Sequence, residues 1–304
     1  MAIEIHNLSI YDDELLLVNK LCFSMKPNVI HALVGESGSG KTLIGRYLLN
    51  QNFDNLHYKI ERWIHPPNIK VKSWIPQNNH ESLNPLLTIK YQLNQIHQQF
   101  HGSKASFEKL SNLLTSVKLV KTKMEAKNLL KKFPNELSGG MKQRILVLFS
   151  LISNANFILA DEPTSALDGS NALESLKLFK QLFKQNKNND KYFLIISHDL
   201  NSLANIVDHI DVMYAGQIIE SGPTTQILTN PSHPYTQALL NSIPNSKTKA
   251  FKIIKGQLER NHVALTGCSF APRCEKTTSQ CNKKIAKEKR IINQETQSYY
   301  KCIL

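Results

Sequence analysis

The stretch Gly35-Glu36-Ser37-Gly38-Ser39-Gly40-Lys41-Thr42 constrains this chain more than any other. It follows the apolar run Ile30-His31-Ala32-Leu33-Val34, which reads as a buried strand, and precedes Leu43 to Asn50, which reads as a helix. Strand, glycine loop and helix together form a setting in which backbone N–H groups converge on phosphate oxygens. The glycines permit an approach that a Cβ would obstruct, and the helix N-terminus adds a favourable partial charge. In such a loop Lys41 reaches the β- and γ-phosphates of a nucleotide, and Thr42 holds Mg²⁺ through its hydroxyl.

The flanking segments supply more of the same design. Residues 3–10 alternate apolar and polar through Ile3, Ile5, Leu8 and Ile10, and a second strand is expected over Leu16 to Met25, giving an antiparallel flap beside the nucleotide strand. Tyr11, 24 positions before Gly35, suits either an aromatic stacked on adenine or a plain strand-end tyrosine. Residues 51–70 read as polar and irregular, with Pro66-Pro67 as a breaker. Val71 to Pro76 reads as a strand ending in Gln77, a residue able to ligate Mg²⁺ or position water. The texture changes at Asn84-Pro85. From Ile89 to Lys132 the apolar positions Leu93, Ile96, Phe100, Phe107, Leu110, Leu113, Leu114 and Val117 recur with helical spacing, a helical insertion of about fifty residues.

The insertion closes on Leu137-Ser138-Gly139-Gly140-Met141-Lys142-Gln143-Arg144. Ser138 there caps a helix running to Leu151 and leaves the glycine N–H groups free at its start. That is either a second anion site or an ordinary capped helix; two phosphate-binding features in one chain suggest a nucleotide shared between two chains. Phe157-Ile158-Leu159-Ala160-Asp161-Glu162 reads as a buried strand ending in two acids. Asp161 is suited to bind Mg²⁺ through water and Glu162 to act as general base on the attacking water. Pro163 to Asp168 turns the chain, a helix is expected over 170–186, and Tyr192 to Ser197 forms a strand ending in His198-Asp199. His198 alone would be a structural strand-end histidine; its place after the last core strand of the series points instead to a γ-phosphate contact or an orienter of Glu162. The alternation predicts an α/β fold with a parallel sheet covered on both faces, with ligands at the carboxyl ends of its strands.

Composition sets the surroundings. At 304 residues and 41% hydrophobic the chain can build a sizeable core. Its longest apolar run after the first motif, Ile145 to Phe149 extended by Leu151-Ile152, falls far short of the roughly 20 residues of a membrane span. The start, Met1-Ala2-Ile3-Glu4-Ile5-His6, lacks a basic segment followed by an apolar one, so a soluble cytoplasmic protein without a signal peptide is expected, serving a membrane only from its side. Of the net charge of +13, residues 245–304 supply +9, from 13 basic and 4 acidic residues. Such a tail is either a solvated face or a contact for an acidic partner, lipid or nucleic acid. It also holds Cys268-x5-Cys274-x6-Cys281-x20-Cys302, four of the five cysteines of the chain. Clustered cysteines in a cytosolic chain favour metal over disulfide, and four thiolates suit Zn²⁺ or an iron–sulfur cluster, with unliganded thiols as the remaining option. Cys22, in an expected strand, reads as core.

Taken in order, Gly35–Thr42, Gln77, Leu137–Arg144, Phe157–Glu162, Ser165–Asp168 and His198 resemble the Walker A, Q-loop, signature, Walker B, D-loop and H-loop of an ABC-type ATPase over residues 1 to about 230. The tail, with Asn230-Pro231-Ser232-His233-Pro234-Tyr235-Thr236, Leu239-Leu240, Ile243-Pro244 and Gly267-Cys268-Ser269-Phe270-Ala271-Pro272-Arg273-Cys274, resembles the oligopeptide/dipeptide/nickel importer ATPases. The resemblance implies a RecA-like core with an antiparallel β flap over 1–230, a helical insertion over about 84–150, and a cysteine-containing extension over 231–304. It implies ATP and Mg²⁺ held by Tyr11, Gly35, Ser37, Gly38, Ser39, Gly40, Lys41, Thr42, Gln77, Asp161 and Asp168. The Ser138, Gly139 and Gly140 loop would come from a second chain in a head-to-tail dimer, and Glu162, His198 and Gln77 would serve the chemistry. A [4Fe–4S] cluster on Cys268, Cys274, Cys281 and Cys302 is implied ahead of zinc. So are two separate permease subunits, a heterodimer with a second ATPase ahead of a homodimer, an indirect link to an extracytoplasmic substrate-binding protein, and a peripheral place on the cytoplasmic face of the cell membrane.

Two departures stand out. Lys41 to Gln77 spans only 36 residues, and Asn78-Asn79 replaces the usual Asp-Pro after the glutamine. The rival readings are a soluble ABC ATPase acting on nucleic acid through its basic tail, opposed by the absence of coiled-coil heptads and of a second ATPase module, and a regulatory module that binds ATP without turnover, opposed by intact Glu162 and His198.

Overall fold

The computed structural model describes residues 1–77, 82–163, 174, 176–178, 180–181, 183–184, 190–242, 254–258, 267–282, 288–293 and 296–302, with the backbone alone at 201, 288–293 and 296–297. The chain divides into two compact units, Met1–Pro66 with Leu194–Leu304, and Pro67–Phe193.

In the first unit, β1 (Ile3–Asp12) and β2 (Leu15–Met25) pair antiparallel from Ile3↔Met25 to Asp12↔Leu15. Bulges beside Leu8 and Ile10 rephase the strand, so that Ile3, Ile5, Leu8 and Ile10 all reach the core. The other edge of β1 corrects the expectation for 51–70. β4 (Leu56–Lys59) and β5 (Arg62–Ile64) pair with it there. They are short edge strands carrying only a few half-buried side chains among polar ones, too little alternation to register in the sequence. The Trp63 ring packs on Tyr47 of the helix behind, with centroids 4.9 Å apart.

The second sheet of this unit runs in the order β11 (Glu288–Asn293), β12 (Thr296–Lys301), β10 (Gln217–Pro223), β9 (His209–Tyr214), β3 (Ile30–Val34) and β8 (Tyr192–Ser197), the last belonging here over Leu194–Ser197. β3 runs parallel to β9, and β9, β10, β12 and β11 pair antiparallel. Every residue of β3 and β8 is buried, as strands covered on both faces require. β10 is therefore no edge: Glu220 and Ser221 pair with Tyr300 and Tyr299 of the tail.

His233 caps the helix Pro234–Asn241, its Nδ1 accepting from the Tyr235 N–H at 3.0 Å. It is 1% exposed, and burial pushes its pKa down to about 4. A base whose folded pKa lies below its unfolded value keeps its full contribution above the unfolded pKa near 6.5 and loses it as pH falls toward the folded one. Stability should therefore decline by about 3 kcal/mol between pH 6.5 and 4 from this group. Urea melts across that range check it. The His233→Asn variant keeps a capping acceptor and should flatten this part of the slope, leaving that of buried Glu220, which both proteins share.

In the second unit, β6 (Lys72–Ile75) runs parallel to β7 (Phe157–Asp161), with Lys72↔Phe157 through Ile75↔Ala160 in register. Between them in sequence lie the helices Ile89–His101, Phe107–Ser116 and Lys123–Lys131. Each begins at a hydroxyl cap, Thr88, Ser106 and Thr122, accepting from the N–H of Tyr91, Lys109 and Glu125. Then follows Gly139–Ile152, a helix carrying buried Ile145, Leu146, Val147 and Leu148.

Candidate functional site

β3 delivers the chain into the glycine loop, and the helix Lys41–Leu49 leaves it. Gly35 stands at φ +155°, where a Cβ would collide with the Met213 carbonyl of β9, and Gly40 at φ +103° turns the chain into the helix. Lys41 is 5% exposed and donates from Nζ to the carbonyls of Gly35 at 2.8 Å and Glu36 at 2.9 Å. Ser39 is fully buried, and its Oγ has no hydrogen-bond partner. An orphaned hydroxyl inside a glycine loop, beside a lysine parked on loop carbonyls, fits a phosphate-bearing ligand. Ser37, Gly38 and Thr42 are exposed on the loop and the first turn of the helix.

A cleft of about 330 Å³ adjoins Gly38 and Gly40 and is walled by Leu15, Leu17 and Phe53, with Leu258 of the tail. These apolar walls suit a planar base. Tyr11 is not among the residues that line this cleft; its ring lies 5.2 Å from the Lys59 ammonium. Phe53, covered on one side by the Arg46 guanidinium at 4.2 Å, is a wall that the sequence did not announce, since it sits in a polar stretch with no periodicity.

The loop is also held from the tail. The Glu36 N–H donates to the Tyr235 hydroxyl at 2.9 Å, and the Glu36 carboxylate accepts from both terminal nitrogens of Arg273 at 2.6 and 3.0 Å. The paired carboxylate holds the guanidinium above its ordinary range. Sequence reasoning missed this contact, whose partners stand 237 residues apart.

His198 follows β8 as an exposed residue of the first unit. In the second unit Asp161, 5% exposed, ends β7, and Glu162 follows it in the left-handed region at φ +46°. A non-glycine residue held there is a strained position of the kind found where a side chain is being aimed. The Gln143 side-chain amide donates to the Pro163 carbonyl and secures the turn behind it. Gln77 is exposed just past β6. Ser138 accepts from the Met141 N–H at 3.4 Å while Gly139 and Gly140 open the helix, as both readings of this stretch require. Asp168, with Ser165 to Leu167, lies outside the described residues.

In the tail, the Cys268 N–H donates to the Cys281 carbonyl at 2.7 Å, which draws the two ends of the cysteine loop together. Burial pushes the Cys268 thiol up, and Cys302, Cys274 and Cys281 act in the same direction, so the four sulfurs share one neighbourhood in which thiolates would repel one another. Cys281 is pulled the other way by Thr278, whose hydroxyl and N–H both lie 3.4 Å from its sulfur. A cation among these sulfurs would relieve the repulsion, so the donor set fits a thiolate-bound metal centre. Tetrahedral zinc would bring them to about 3.8 Å of one another. Among the described residues, however, the group with all ligand atoms within 4.8 Å is His31, His209 and Asp211, and not the cysteines. In that trio neither histidine is within hydrogen-bond distance of Asp211, at 3.6 Å for His31 and 3.7 Å for His209, and the His31 Nδ1 has no hydrogen-bond partner. The His31 Nε2 accepts from the Lys26 N–H at 3.3 Å, which leaves its proton on Nδ1, 3.6 Å from Asp211, and Ser221 donates to Asp211 at 2.7 Å.

Comparison with known proteins bears on both ends of the chain. Residues 18–165 match the family model described as ABC transporter, and residues 219–281 match the model for the oligopeptide/dipeptide transporter C-terminal region. The oligopeptide transport ATP-binding protein AppD of Bacillus subtilis is 30% identical over 92% of this chain and 90% of its own length. The oligopeptide transport ATP-binding protein OppD of Haemophilus influenzae is 32% identical over 87% and 85%. Two solved structures, an ATP binding subunit of an ABC transporter and the ADP conformation of MJ1267, an ATP-binding cassette of an ABC transporter, share the fold. Their TM-scores are 0.58 and 0.56, at 19% and 20% identity over 75% and 76% of this chain, and 92% and 96% of theirs.

Proposed function

The chain belongs to the ABC transporter ATP-binding proteins of the oligopeptide transport group and is an ATPase; from that premise we propose that it powers uptake of oligopeptides or dipeptides, with a metal such as nickel as the alternative cargo, through separate permease subunits. The observation that carries the cargo class is the match of 219–281 to the oligopeptide/dipeptide transporter C-terminal region, joined to an ATPase motif set in which no catalytic position is substituted. The reading keeps an ATPase module over 1–230 and an extension over 231–304.

Each residue has a role in this reading. The loop N–H groups and Lys41 bind the phosphates, and Thr42, Gln77 and Asp161 would hold Mg²⁺, which supplies charge neutralisation on the phosphate oxygens. Glu162 takes the proton of the attacking water, and His198 orients it. Tyr11, next in sequence to the cleft-lining Asp12, would serve the base. Ser138, Gly139 and Gly140 face the nucleotide of a second ATPase chain, with a different partner preferred over a second copy, and Asp168 belongs to the same interface. The helical insertion exposes Leu86, Tyr91 and Met124 at 82%, 50% and 67%. Apolar side chains of that size in solvent suit the cytoplasmic loops of permeases, with the chain peripheral on the cytoplasmic membrane face and a substrate-binding protein acting on the far side. Among the described residues no helix is long and apolar enough to cross a membrane.

The four cysteines are assigned to a [4Fe–4S] cluster in preference to zinc on the resemblance of the tail to the oligopeptide/dipeptide/nickel importer ATPases, whose C-terminal region matches residues 219–281. Anaerobically purified protein should be brown, with absorbance near 400 nm and iron by elemental analysis; a colourless protein with one zinc per chain would overturn this assignment. The function itself is tested by affinity capture from native membranes. Recovery of two multi-span proteins, with or without a second ATPase, supports the importer, and recovery of nucleic acid or soluble factors alone contradicts it.

A further inference from the structure

We propose that Arg273 of the C-terminal extension is a positioning residue for nucleotide binding, acting through Glu36 on the phosphate-binding loop of its own chain. The inference rests on the glycine loop being the ATP site, and it assigns the extension a part in that site.

Every polar group of Glu36 is engaged. Its N–H donates to Tyr235, its carbonyl accepts from Lys41 at 2.9 Å and from the Ser39 N–H at 3.2 Å, and its carboxylate takes both terminal nitrogens of Arg273. Arg273 is pinned in turn. Its side chain is 5% exposed; Nε donates to the Lys255 carbonyl at 2.8 Å and Nη2 to the Gly256 carbonyl at 3.0 Å, while Nη1 lies 3.3 Å from the Tyr214 hydroxyl. One guanidinium thus ties the segment at 255–256 to the loop, and two residues further on Leu258 walls the same cleft as Gly38 and Gly40. The turn that presents Arg273 is anchored as well: Phe270 packs on the rings of Tyr214 and Tyr235, with centroids 5.2 Å away in both cases.

Two effects follow from this clamp, and both favour ATP. A loop whose second residue is fixed at three points has less freedom to lose when its N–H groups close on phosphate. The guanidinium also neutralises a carboxylate that sits within the loop and would otherwise repel a triphosphate. Losing Arg273 removes both effects, whereas losing both partners restores the charge balance and leaves only the loss of rigidity.

The test is a double-variant cycle on the full chain, comparing wild type, Arg273→Gln, Glu36→Gln and the double variant by ATP affinity in calorimetry and by KM and kcat. Thermal melts report whether each protein is folded. Arg273→Gln should weaken ATP binding about tenfold, with KM rising and kcat changing less than twofold. The double variant should recover at least half of that loss on a logarithmic scale, and Arg273→Lys should lie between wild type and Arg273→Gln. Equal ATP affinity in wild type and a folded Arg273→Gln would overturn the role of Arg273, as would a double variant no better than Arg273→Gln. If Arg273→Gln fails to fold, Arg273→Lys with Glu36→Gln carries the same comparison. Failure of the wild type itself to bind ATP would refute the site and not merely the clamp.

Discussion

Glu162→Gln is expected to abolish steady ATP turnover while leaving ATP binding intact. The substitution keeps size and shape but removes the oxygen charge that accepts the water proton, so the loss should be about 10² to 10⁴-fold in kcat. Glu162 follows β7 directly with its backbone at φ +46°, and glutamine, of the same size and shape, should occupy the same place. ATP should then accumulate on the protein and hold two chains closed upon it. Single-turnover and steady-state assays, with light scattering for the dimer, read both halves. Retained steady turnover in this variant would remove Glu162 from the role of base.

Lys41→Ala is expected to act earlier, on binding. In the structure Lys41 is buried and satisfied by the Gly35 and Glu36 carbonyls, a resting arrangement that ATP must exchange for phosphate contacts. Alanine removes a buried, charge-assisted partner of the phosphates, and ATP affinity should fall about a hundredfold, near 3 kcal/mol. Fold and melting temperature without nucleotide should change far less than the ATP-induced stabilisation, which should vanish. A variant still stabilised by ATP to the wild-type extent would place the phosphates elsewhere.

Much of this was legible in the sequence because it is carried by local chemistry. The glycine loop needs Gly35 and Gly40 for backbone reasons that no other residue meets, and Ser138 marks the start of the helix that closes the insertion, whereas the periodicity does not give the separate starts at Thr88, Ser106 and Thr122. The apolar runs of β3, β7 and β8 end at the predicted functional residues. What stayed hidden is set by tertiary pairing. β4 and β5 are too short and polar to alternate visibly, and they exist because β1 offers an edge. β11 and β12 are drawn from a charged tail by the open side of β10. The Arg273–Glu36 pair has no signature at all, since two oppositely charged residues far apart in the chain become partners only through the fold. Leu15, Leu17 and Phe53, which wall the cleft beside the glycines, carry no spacing or motif that would single them out in the sequence.

The central claim is that ATP turnover by this chain drives peptide import. Its most direct test is uptake of labelled peptides by vesicles reconstituted with the membrane complex captured on this chain, with ATP supplied on the side of the ATPase. The account predicts ATP-dependent accumulation with the wild-type chain and none with Glu162→Gln. Equal accumulation in the two, or ATP hydrolysis with no peptide movement in a complex that binds peptide, would contradict it.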